Sequence, residues 1–429
     1  LWLLAICLQS NAQQQEYKDF HDNGKLRTHG QYERGVEHGT WQFFNEAGVM
    51  EEESNYFYGQ LHGSVRTFYP GGRPMTEGYF KLGKQDSIMR HFAESGRVLE
   101  EGFYREGRRT GQWNYFYERA DTLMVEEYCD SVVYLWTYNG KDPESKVIAG
   151  NGIRTERDAS GLVMRITRYA AGLKDGQYME NYSNGKPRVT GQYTAGMKQG
   201  LWTEYHDNGN ISRKANYLDG LPDGIHEAYD ASGKPVVLGS YSGGKKHGYW
   251  TWYLDNGKKD MEGQFEHDLQ SGPWIFWYGN GNKHYFGSFA QGKMEGPWTW
   301  LYFGGQQWKE GNYSGGEKSG MWTTWFENGK KLQEGNYANG LEEGEWQSWY
   351  ENGALQETGH YHLGKMSGAW EGWHPNGVKH YEGSWTVTTK RSKLGDLEDK
   401  LLPSENVSYS RVIEGEGKTG TWTYWSEKG

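Results

Sequence analysis

Residues 320–344 read GMWTTWFENGKKLQEGNYANGLEEG, and the same punctuation returns along most of the chain. Trp322, Trp325 and Phe326 favour a pleated strand, Asn328-Gly329 supplies the positive φ of a tight hairpin turn, and Gln333 to Tyr337 forms a return strand. Gly340 and Gly344 carry the chain into the next copy. One unit is a β-hairpin plus a glycine-rich link, too small to be stable alone.

The opening glycine recurs at 176, 200, 224, 248, 272, 296, 320, 344 and 368, each 24 residues after the last. Earlier copies open at Gly39, Gly63, Ser87 and Gly111, then at Gly152, and a final one opens at Gly420. Asn23-Gly24, Gly30, Tyr32 and Gly35 belong to a leading partial unit, which brings the array to about 16 units. The residue two after the opening glycine is Trp at 41, 113, 202, 250, 274, 298, 322, 346, 370 and 422, whereas the residue two before it varies freely. Aromatic residues recur on the return strand, as at Tyr313, Tyr337 and Tyr361. Equivalent rings of stacked repeats should pack on the copy before and the copy after. The expected fold is all-β: an elongated, twisted antiparallel sheet of stacked hairpins, on the order of 150 Å long at about 4.8 Å per strand.

Composition agrees with a thin array. The 429 residues hold 63 Gly, 21 Trp and 32 Tyr against 35% hydrophobic residues, which concentrates the apolar material in rings rather than in deep aliphatic cores. The net charge of −10 is spread with both signs in nearly every unit, arguing against nucleic acid as a partner. No apolar run reaches the ~20 residues of a membrane-spanning helix.

The opening LWLLAICLQSNA reads as the apolar core of a secretory signal, with cleavage after Ala12 and the preceding leader missing. Lipidation at Cys7 is the rival reading, although Ile6 is large for the position before a lipidated cysteine. Once Cys7 is removed, Cys129 is the only thiol, so no internal disulfide is expected. Repeats then fill 16–119 and 151–385. They are interrupted at 120–150 by an enlarged hairpin or added strand and at 386–416 by a polar loop with one helical turn around Leu397 to Leu401, and 417–429 is a partial terminal repeat. Its GTWTYWSEKG supplies an outgoing strand with Trp422, Tyr424 and Trp425, an edge through which chains could associate with one another.

The pattern G-x-W-x-x-W-F-x-N-G at 320–329 followed by E-G-x-Y-x-x-G at 334–340 resembles the MORN (membrane occupation and recognition nexus) repeat in its bacterial variant. The resemblance covers residues 16 to 429 apart from the two interruptions. It implies scaffolding, membrane-associating or dimerising roles, and in some bacterial members an antitoxin role. Val65, Met89, Arg154 and His226 depart from the Trp position of the pattern, and 152–175 is a decayed copy.

Catalytic, cofactor and metal chemistry is not expected. Gly417-Lys418-Thr419 imitates the end of a phosphate-binding loop, but Val412 stands where its first glycine belongs. His226-Glu227 lacks the second zinc-binding His, whose place is held by Asp230. His360, His362, His374 and His380 read as solvated or packing residues rather than ligands. The aromatic row Trp250, Trp274, Trp298, Trp322, Trp346 and Trp370 is the one constellation that could bind a partner, if part of its face stays open. The leading expectation is an exported, non-enzymatic scaffold for protein partners, periplasmic, outer-membrane-associated or extracellular. The alternatives are a glycan- or membrane-surface-binding wall protein, and an antitoxin.

Overall fold

A computed structural model describes residues 14–119, 121–391 and 412–428. The signal-like opening with Cys7, and the helical turn expected at Leu397 to Leu401, lie outside the described residues. What is described is all-β: 34 strands, antiparallel wherever they pair. The chain divides into two compact units between Gly209 and Asn210. Within each unit the strands pair in chain order, from Gln14–Phe20 to Met197–Tyr205 in the first and from Ile211–Leu218 to Val412–Tyr424 in the second.

The repeat at 317–349 shows how the sequence sets the geometry. Outgoing strand Glu317–Trp325 pairs with return strand Lys331–Ala338, placing Trp322 opposite Gly335 and Thr323 opposite Glu334. The return strand then pairs with Leu341–Trp349, again placing Gly335 opposite a tryptophan, Trp346. Gly335 thus sits between two indoles on one face of the sheet.

The two turns of the unit differ. At Asn328-Gly329 only Gly329 has positive φ (83°), and the Gly329 N–H donates to the Phe326 carbonyl while the Phe326 N–H donates to the Lys330 carbonyl. This is a type I turn closed by a glycine bulge, so the expected positive φ belongs to the glycine alone. Asn328 has another task. Its Oδ1 accepts the Lys330 N–H, and its Nδ2 donates to the Glu351 carbonyl in the next repeat's turn. Asn184 and Asn256 reach forward in the same way to the carbonyls of Asp207 and Gly279. At the opposite sheet edge Asn339 (51°) and Gly340 (79°) both have positive φ, the two-residue turn whose twist suits a hairpin.

The opening glycine is a bulge. Register slips between Gly335 and Asn336, where Gly344 adopts φ 80°, and the slip leaves the Asn336 carbonyl to accept a hydrogen bond from the Trp346 indole at 3.1 Å. Ser87 holds this position with φ 64°, a region costly to any residue with a Cβ. Replacing Ser87 with Gly should therefore stabilise the first unit by about 0.5–1 kcal/mol, strain relief exceeding the added chain entropy. An unchanged urea midpoint would contradict this.

The first interruption is mostly strand, and so are the described ends of the second. In the first, Thr122–Cys129 and Val132–Asn139 form a hairpin, and the short strand Lys146–Ile148 links it to Asn151–Arg157. In the second, pairing extends into the stretch read as loop: Thr386 faces Gly417, and the ladder continues to Arg391 opposite Val412. The run TVTT at 386–389 is β-branched throughout, which favours strand over loop despite its polarity.

Candidate functional site

The six tryptophans of the candidate partner-binding row are interior. Trp250, Trp274, Trp298, Trp322, Trp346 and Trp370 are 1–8% exposed, and each indole N–H donates to a backbone carbonyl at 3.0–3.2 Å. Below each ring lies the return-strand glycine. A Cβ on Gly239, Gly263, Gly287, Gly311, Gly335 or Gly359 would stand only 2.1–2.2 Å from an indole carbon. Above the ring lies the residue two before the opening glycine, the position at which the sequence varies freely. Lys246, Lys318 and Lys418 hold their ammonium groups 4.9, 4.7 and 4.3 Å from the ring centres of Trp250, Trp322 and Trp422, and Arg109 stands 3.9 Å over Trp113. The long stem covers the ring and the cation faces its π-cloud. A binding surface cannot be made of rings enclosed in this way, and the row is the core.

The other weighed motifs also have repeat roles. Lys418 is one of the ring-covering lysines, and it donates to the Tyr424 hydroxyl at 2.8 Å. His226 takes the Trp position and stacks on Trp250 with ring centres 5.7 Å apart. His374 and His380 lie 4.2 Å apart, with His374 Nε2 against the Trp425 carbonyl, and His362 meets Glu343 at 3.0 Å. His360 contributes the carbonyl that accepts the Trp370 indole. Among the described residues no group of three or more His, Cys, Asp or Glu side chains converges.

Two surfaces remain. On the face opposite the indoles, in the second unit, the residue after the opening glycine is Ile225, Tyr249, Pro273, Pro297 and Met321 in five successive repeats, and all five are exposed. Beside this row runs one of Thr–Glu pairs such as Thr251 with Glu262 and Thr323 with Glu334. Lys259 and Lys331 pair with those glutamates and also lie 5.5 Å from the ring centres of Trp277 and Trp349. Sequence reading missed this face because its members differ in kind and share only their phase after the glycine.

The second surface is a groove of about 440 Å³ in the first unit, on the face that carries indoles elsewhere. Its floor is the decayed copy. Across three adjacent strands, Gly152, Tyr169 and Lys174 form one row, Arg154, Thr167 and Tyr178 the next, and Glu156, Arg165 and Glu180 a third. Arg154 holds the Trp position and Thr167 the glycine position, so the ring-on-glycine packing is replaced by charge. Arg165 bridges Glu156 at 3.0 Å and Glu180 at 3.3 Å. Burial and the neighbouring Arg165 and Arg154 hold the Lys174 ammonium below its usual pKa, while burial and the hydrogen bond to Glu180 push the Tyr178 hydroxyl up to about 12.

The geometry defines a β-hairpin repeat array with an aromatic-on-glycine core and a polar groove at one decayed copy. The chain is a MORN-repeat protein: the family model described as MORN repeat variant matches residues 16–34, 37–57, 198–219, 246–267, 318–339 and 342–362. No curated protein matches the sequence. Among solved structures, the crystal structures of TcdB2-TccC3-TEV and TcdB2-TccC3-Cdc42 are similar over 87% of this chain and 24% of theirs, at 10% and 11% identity with TM-scores of 0.16 and 0.14. The Photorhabdus luminescens Tc holotoxin pore is similar over 88% of this chain and 27% of that chain, at 10% identity and a TM-score of 0.12.

Proposed function

We propose that the chain is an exported, non-enzymatic scaffold that binds protein partners at the cell envelope through the sheet face opposite its indoles. The observation that carries this reading is the exposed apolar row, in which Ile225, Tyr249 and Met321 are 40%, 52% and 52% exposed. Two strands per repeat set successive members about 10 Å apart, so five repeats offer a long, regular set of contacts with charged residues alongside. A soluble sheet face gains nothing by exposing the same apolar position repeatedly, and such patches mark interaction surfaces. Export rests on the apolar opening LWLLAICLQSNA. The glycan-binding alternative needs open aromatic cages, whereas the indoles of the ladder are enclosed.

A photo-crosslinking residue placed at Tyr249 should capture a defined envelope protein, and the combined substitutions Ile225→Asp, Pro297→Asp and Met321→Asp should abolish that capture without altering the far-UV circular dichroism. Capture unchanged by the three substitutions would overturn the assignment of this face.

A further inference from the structure

We propose that the groove over residues 152–180 is a binding site for a small ligand carrying a compact anionic group, a carboxylate or a phosphate, held by Lys174 and Arg154. Elsewhere a lysine at the position of Lys174 caps an indole, as Lys246 caps Trp250 and Lys318 caps Trp322. Lys174 has Tyr178 at the Trp position of its own repeat, and its ammonium lies 5.1 Å from the ring centre of Tyr193 on that repeat's return strand. The Lys174 carbonyl accepts the Gly196 N–H, but among the described residues its ammonium makes no ion pair or hydrogen bond. Arg154 occupies the Trp position of the preceding copy, with its Nε 3.1 Å from Glu156 Oε1 yet not aligned to donate to it. The Arg165 Nε is likewise buried without an acceptor, while its two terminal nitrogens serve Glu156 and Glu180. Arg165 therefore fixes Glu156 and Glu180 in place, while Lys174 and Arg154 line the groove beside them, Arg154 with its Nη1 3.6 Å from Met124 Sδ and its guanidinium 5.0 Å from the ring centre of Tyr138.

Arg154, Arg165 and Lys174 line the groove with Glu126 and Glu156, and Glu180 at the edge of its floor is held by both Arg165 and Arg188. Glu126 is already engaged by the hydroxyls of Tyr115 and Tyr128. One wall is supplied by the inserted strand Val132–Asn139. Its Leu135 N–H donates to the Gly172 carbonyl at 2.7 Å, and Val133 and Leu135 line the groove. The interruption thus encloses the place where the repeat pattern decays, and the resulting volume falls within the range of small-molecule sites. Convergent cations beside apolar and tyrosine walls suit an anionic group attached to a small polar body.

Calorimetric titration of the full chain with inorganic phosphate, acetate and glucuronate tests the site and separates the possible sources of the anion. At low ionic strength at least one probe should bind saturably with a Kd below about 1 mM, and Lys174→Gln should weaken it at least tenfold. Lys246→Gln changes the same repeat position over Trp250 and should leave binding unchanged, which separates the groove from general attraction to surface lysines. Preference for phosphate assigns a phosphorylated ligand, and preference for glucuronate over acetate assigns a sugar acid. Failure of all three probes to saturate, or equal weakening by the two lysine substitutions, would overturn the proposal. Arg154→Gln provides a second reading should Lys174→Gln alter folding, with the same tenfold loss expected.

Discussion

Replacing Gly335 with serine should destabilise the second unit by about 3 kcal/mol, a large effect for adding one hydroxymethyl group. The cause is geometric: a Cβ at Gly335 would stand 2.1 Å from Cδ2 and 2.3 Å from Cε2 of Trp346. That indole cannot move away cheaply, because its N–H is bonded to the Asn336 carbonyl and Tyr337 packs edge-on at 5.2 Å. The chain contains its own evidence for the rule. Where the glycine position holds Ser54, the facing residue is Val65; where it holds Ala215, the partner is His226; where it holds Thr167, the partner is Tyr178. In each case a larger residue below accompanies a smaller side chain above. Ser54, Ala215 and Thr167 are all buried, so the exchange takes place inside the packed layer. A double-mutant cycle should therefore show strong coupling: in a Trp346→Val background, Gly335→Ser should cost less than about 1 kcal/mol. Chemical denaturation followed by circular dichroism measures all four corners. Additive losses would show that the glycine is not there to seat the ring.

The period, the strands and the turn positions were legible because each depends on a residue type that recurs in phase: Trp322 and its equivalents, Asn328-Gly329 and Gly344. The identity of the core was harder to see. A row of tryptophans at one position suggests rings meeting rings, whereas the structure places a glycine between successive indoles and lets each ring lie on backbone. The glycine of E-G-x-Y gave the signal, since a glycine in the middle of a strand marks a close approach. The lysine above the ring was concealed by substitution, because Met294, Gln270 and Glu342 share the position with Lys246 and Lys318. What these residues have in common is a long flexible stem rather than a charge. The groove could be read only as decay: Arg154 and Thr167 stood out as departures, but sequence alone could not place Arg165, Lys174 and Glu156 on one face beneath an inserted strand. Register supplied that, and the bulge at each opening glycine shifts register by an amount that periodicity does not reveal.

Replacing Trp322 with alanine should cost about 3–5 kcal/mol, and the damage should remain close to the substitution. Trp322 is 5% exposed and lies across Gly311, with Trp300, Tyr313 and Tyr337 around it at centre distances of 5.6, 5.2 and 5.8 Å. Removing the ring strips the cover from Gly311, leaves the Asn312 carbonyl without its indole donor, and deprives the Lys318 stem of the surface on which it lies. Every one of these partners belongs to the same repeat or the one beside it. Contacts between non-adjacent repeats are absent from this set, so the lost energy has no route to distant strands other than through successive neighbours. Amide hydrogen exchange should accordingly quicken from Lys293–Leu301 through Leu341–Trp349 and stay unchanged in the first unit, at Val36–Phe44 and Arg108–Phe116. Trp322→Phe should give a smaller effect in the same place, since it keeps most of the cover over Gly311 and loses the hydrogen bond. Exchange that rises evenly along the whole chain would mean that the array unfolds as a single cooperative body, and the nearest-neighbour account of its stability would fail.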